Sequence, residues 1–194
     1  LPPKVLAVLD ALHLRVPLRT IVFGTIDFYR RMKIPFVRRA IHRLEAEKQK
    51  SFKSNPRPIR VCFLCLDVSQ WGMQSIFDAM LSSPNFEPYV YSAPNWIREN
   101  DSRQHDATTE FFEKKCMPCT NQFDQNNPPD VLLVPMSDSD RFGRAIQFDK
   151  LYKKVLIGCV LYGWIVLSTE KHYIGRDCLA YLWRYFTFNN REQK

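Results

Sequence analysis

Pro58 to Pro94 reads PIRVCFLCLDVSQWGMQSIFDAMLSSPNFEPYVYSAP, and its pattern decides the fold. Ile59 to Leu66 is a short apolar run rich in β-formers. It is too short for a helix of ordinary length, so a buried strand is expected. The polar residues Asp67, Ser69 and Gln70 follow. Trp71, Ile76, Phe77, Met80 and Leu81 then fall at helical spacing, and Ser82-Ser83-Pro84-Asn85 stops the helix. Phe86 to Tyr91 alternates as a second strand. Strand, helix and strand make a βαβ unit, the crossover that parallel strands require.

Working outward, residues 100–115 predict a helix, and Met117 to Thr120 a short strand. Asn121 to Pro129 is a loop and Asp130 to Val134 a buried strand. Arg144 to Tyr152 predicts a helix, Val155 to Val160 a strand, and Arg176 to Phe186 a last helix with Leu179, Leu182 and Trp183 on one side. The class is therefore α/β: a Rossmann-like parallel sheet flanked by helices, in the order 3-2-1-4-5. Such a sheet reverses between its first and fourth strands, and ligands sit there, beyond the carboxyl ends of the strands.

Upstream, residues 1–53 form a basic appendage and residues 54–194 the body, with Ser51 to Pro58 (SFKSNPRP) as the joint. The appendage reads as amphipathic helical pieces opened anew at Pro17 and Pro35. The net charge of +8 lies wholly in it: residues 1–53 hold 12 Lys and Arg against 4 acids, and the remainder holds 16 of each. A neutral body argues against nucleic acid as a partner. The basic helices suit an anionic membrane surface, a neighbouring domain or a second copy of the chain. There is no signal-peptide pattern and no apolar run of bilayer length, and a cytoplasmic protein is expected, with peripheral attachment to the inner membrane face as an option.

Six cysteines include two C-x-x-C pairs, Cys62/Cys65 and Cys116/Cys119. Positions i and i+3 of a strand point to opposite faces, so the first pair cannot chelate. The second does not sit between a strand and the following helix as a thioredoxin-type site does. Reduced thiols used as small core residues are expected, with no metal and no cofactor. No G-x-G-x-x-G, Walker loop or G-x-S-x-G elbow occurs.

The switch-point rule nominates the loops Asp67 to Gln74, Pro135 to Asp140 and Tyr162 to Ser168. Asp67, Ser69, Gln70 and Gln74 offer hydrogen bonds and Trp71 a flat platform, a mix suited to sugars and polyols. Equally, Ser69 can cap the helix and Trp71 can anchor it in the core. Gly163, beside Tyr162, lets the backbone turn sharply or approach a ligand. His172 is the one histidine near that edge and a candidate base.

The strand, S-x-W, amphipathic helix and "NFEPYVYSAP" resemble the start of the N-terminal domain in the CDP-glycerol glycerophosphotransferase (teichoic-acid polymerase-like) family and related bacterial capsule glycosyltransferases. The resemblance runs from about Arg57 to Phe186 and takes in Pro129 to Leu133 and Leu161-Tyr162-Gly163-Trp164. It implies the GT-B architecture, two Rossmann-like domains across a cleft. The N-terminal domain would bind an acceptor glycan or polyol-phosphate polymer, and a C-terminal partner domain would bind the activated donor and supply the key histidines. The loop at Tyr162 and Gly163 would approach that cleft. This chain would then be the acceptor-side half and would not turn over alone. The other reading is a non-catalytic Rossmann-like domain, docked by its basic helices to a membrane or a partner.

Overall fold

The structure, a computed structural model, describes residues 15–93, 102–135, 146–160 and 177–186. Helix α1 is Arg15–Ser54. The strands are β1 (Ile59–Cys65), β2 (Phe86–Ser92), β3 (Cys119–Thr120), β4 (Val131–Val134), β5 (Leu156–Val160) and β6 (Arg184–Phe186). Between them lie α2 (Gln74–Leu81), α3 (Ser102–Lys114) and α4 (Phe148–Leu151), with 3₁₀ turns at Val68–Gln70 and Asp177–Tyr181.

The sheet order is β3-β2-β1-β4-β5-β6, and all five pairings are parallel. The α/β class and the run 3-2-1-4-5 follow the expectation. β1 is the central ribbon: it pairs along its whole length with β2, from Ile59 with Phe86 to Cys65 with Ser92, and with β4 from Val61 to Phe63. Val61 to Cys65 are all buried, as a ribbon covered on both faces must be. Alternation sends Val61, Phe63 and Cys65 to one face, where they join Met73, Phe77, Val90, Phe112, Met117 and Leu133 in one cluster.

Three local expectations are corrected. The appendage is not broken at Pro35; the helix does open beside Pro17 as expected, and residues 1–14 lie outside the described residues. Pro17 falls in the first turn of α1, where the missing N–H has no intrahelical acceptor to lose. Pro35 lies inside the helix, which continues past it to Ser54. One lost bond does not end a 40-residue helix whose turns are bonded on both sides. The last helix is also different: the chain makes a 3₁₀ turn and then β6. The Trp183 amide donates to the Ile157 carbonyl at 2.7 Å, so the segment docks on the free edge of β5. Gly158 permits this, because a Cβ there would lie 2.8 Å from Leu133 Cδ2 and 3.3 Å from Phe186 Cε2. Finally, the expected helix at 144–152 is the single turn α4, with residues 144 and 145 outside the described set.

The compact units divide between Val37 and Arg38, within α1 and upstream of the polar joint. From Arg38 onward the helix is tied to the sheet unit by polar contacts. Arg38 Nη1 donates to the Leu182 carbonyl at 2.6 Å, and Arg184 pairs with Glu45 at 3.2 Å.

α3 ends in a Schellman motif. The Met117 amide reaches back to the Phe112 carbonyl at 3.0 Å and the Cys116 amide to Glu113 at 2.9 Å, with Cys116 at φ 53°. Met117 and Phe112 share the core cluster, completing the motif's apolar contact. The left-handed position is one that glycine fills without strain. Cys116→Gly is expected to stabilise the chain by about 0.5–1 kcal/mol, strain relief outweighing the added freedom of the unfolded chain. A thermal melt should show Tm higher by about 1–3 °C.

Candidate functional site

The rim at the carboxyl end of β1 is built by one short turn. Asp67 caps the 3₁₀ turn, its Oδ1 accepting from the Ser69 amide at 2.8 Å. The Cys65 thiol donates to the Asp67 carbonyl at 3.4 Å, and the Trp71 amide to the Val68 carbonyl at 3.0 Å. Ser69 is exposed, and its hydroxyl has no hydrogen bond among the described residues. It does not cap α2, whose N-cap is Met73 without a side-chain bond.

Trp71 turns inward. Its ring meets Phe112 at 4.9 Å, Phe63 at 6.1 Å and Phe77 at 6.2 Å between centroids, all edge-to-face. Its indole N–H donates to Gln74 Oε1 at 2.9 Å, and Gln74 Nε2 donates to Asp78 Oδ1 at 2.7 Å. Of the two readings open for Trp71, the core anchor is the one the geometry displays, with Gln74 as its polar partner. Asp67 and Ser69 remain at the rim. The Gln70 side chain, residues 136–140 of the second loop, Tyr162, Gly163, the rest of the third loop and His172 lie outside the described residues.

A second polar cluster sits at the opposite, amino-terminal end of the strands, and sequence reasoning missed it. Asp130, 5% exposed, immediately precedes β4. Arg57 grips both its oxygens at 2.8 and 2.9 Å, Lys48 donates at 2.9 Å and the Arg60 amide at 3.1 Å. Arg57 stacks over Phe52 at 5.0 Å, and Arg60 donates to Asn127 Oδ1 at 2.9 Å. Asp130, Arg57, Arg60 and Asn127 border an open groove of about 630 Å³ that also meets Pro58, Glu87 and Pro128. Burial pushes the Asp130 carboxyl up, but the donors Arg57, Lys48 and the Arg60 amide outweigh it and hold it at about 2. A carboxylate so acidic and so fully donated to is a clamp rather than a proton acceptor at neutral pH. The available signal was a lone acid opening an apolar run, since a buried Asp must be paired.

The thiols of β1 are inert. Burial pushes both Cys62 and Cys65 up to about 12. They lie on opposite faces, Cys65 in the aromatic cluster and Cys62 bonded to Tyr89. Among the described residues no group of three or more His, Cys, Asp and Glu is placed to hold a metal ion. Among them also, no helix is long and apolar enough to cross a membrane.

Comparison with family models, with curated proteins and with solved structures returned no match.

Proposed function

We propose that this chain is the acceptor-binding half of a GT-B-type transferase in the synthesis of a bacterial cell-surface polymer of capsule or teichoic-acid type. It works with a C-terminal donor-binding domain on the cytoplasmic side. The supporting observation is the reversal of strand order at β1 and β4, with the polar turn Asp67–Ser69 at the carboxyl end of β1. Ligands of open parallel sheets gather at such a place, and polyol or sugar hydroxyls need hydrogen-bond partners there. In this reading Ser69 donates to an acceptor hydroxyl, and Asp67 accepts from one while shaping the turn. Trp71 and Gln74 hold the turn against the core. The family resemblance implies that the loop of Tyr162 and Gly163 approaches the cleft, and His172, read from its place in the sequence, is the candidate base.

The test is calorimetric titration of the chain with a poly(glycerol phosphate) oligomer. Binding is expected, and Ser69→Ala should weaken it about fivefold, the worth of one neutral hydrogen bond. Equal affinity in wild type and Ser69→Ala, or no binding of that polymer and of capsule oligosaccharides, would overturn the assignment.

A further inference from the structure

The N-terminal unit, residues 1–37, presents apolar side chains in a setting where soluble surfaces avoid them. Met32 is 53% exposed, Ile34 42% and Phe36 64%. They make up three of the five large exposed hydrophobic residues among the described residues, and they fall within five positions. Met32 and Phe36 are one helical turn apart and share a face. The same unit holds six Lys and Arg against Asp10 and Asp27. Within it, Phe28 to Val37 contains three basic residues, Arg30, Arg31 and Lys33, and no acid.

We propose that this unit docks on an anionic phospholipid surface, with Phe36 and Met32 entering the headgroup boundary and the Arg and Lys of the same run meeting lipid phosphates. Charge complementarity selects the occupant: an acid-free basic run beside apolar side chains matches a negatively charged interface. α1 as a whole carries almost no single apolar face, so the contact is a local anchor plus charge. Such two-part attachment is reversible and sensitive to salt. The inference does not rest on the transferase reading.

The experiment is co-sedimentation of the full chain with vesicles of phosphatidylglycerol and phosphatidylcholine. Pelleting is expected with the mixed vesicles, not with phosphatidylcholine alone, and should fall at about 0.5 M salt. The double variant Met32→Ala, Phe36→Ala should lower partitioning about tenfold with an unchanged circular dichroism spectrum, since both side chains are exposed. Failure to pellet with the anionic vesicles, or pelleting of the double variant equal to wild type, overturns the proposal. So does a dimer in sedimentation velocity that the double variant abolishes while lipid binding is absent, which would make a second copy the occupant.

Discussion

Asp130→Ala should lower the free energy of unfolding by about 2–3 kcal/mol, read from urea denaturation. The substitution removes one carboxylate to which Lys48, Arg57 and the Arg60 amide all donate. Asp130 is the buried member: without it the partly buried Lys48 and the Arg60 amide lose their acceptor, while the half-exposed Arg57 turns to water. Arg57→Ala should cost less, about 1 kcal/mol, since Arg57 is half-exposed and Lys48 still neutralises Asp130. The same contacts set an acid sensitivity. The folded-state pKa of about 2 lies below the ordinary 3.8, so this contribution is fully present above about pH 4. It is lost as the pH falls toward 2, and is on the order of 2 kcal/mol. The Asp130→Ala chain should lack that component in a pH series of urea midpoints. An unchanged pH profile would show that the clamp is not where acid acts.

The second large effect is expected at Trp71→Ala, about 3 kcal/mol in the same measurement. Trp71 is the piece that Phe63 of β1, Phe77 of α2 and Phe112 of α3 all touch. Its deletion removes three edge-to-face contacts and leaves Gln74 Oε1 without its donor. Trp71→Phe should recover more than half of the loss, because an aromatic ring is kept while the N–H is not. A fully folded, equally stable Trp71→Ala chain with weakened polyol binding would restore Trp71 as a ligand platform. For this reason Ser69, exposed and free of core contacts, is the cleaner probe of the rim.

The βαβ unit was legible because its evidence is local. Ile59 to Leu66 is apolar without a break, and Ser82 to Asn85 punctuates the helix before the next alternation. β6 was hidden because Leu179, Leu182 and Trp183 also satisfy helical spacing; only the free edge of β5 decides for a strand. Continuity of α1 across Pro35 was hidden because proline breaks helices by default. At the rim, sequence found the turn but left Trp71 open between platform and anchor. The deciding neighbour, Phe112, is distant in the chain. The Asp130 clamp failed for the same reason: its donors lie 70 to 82 residues away, and no periodicity reports such pairings.

The two polar clusters lie at opposite ends of the sheet, and a ligand can meet only one of them. Two-dimensional amide NMR of the labelled chain, titrated with the poly(glycerol phosphate) oligomer, reads this directly. Shifts confined to the amides of Leu66 to Ser69 and the end of β4 near Val134 are the expected result. Shifts confined to Arg57, Arg60 and Asn127, at the other end of the strands, would contradict it.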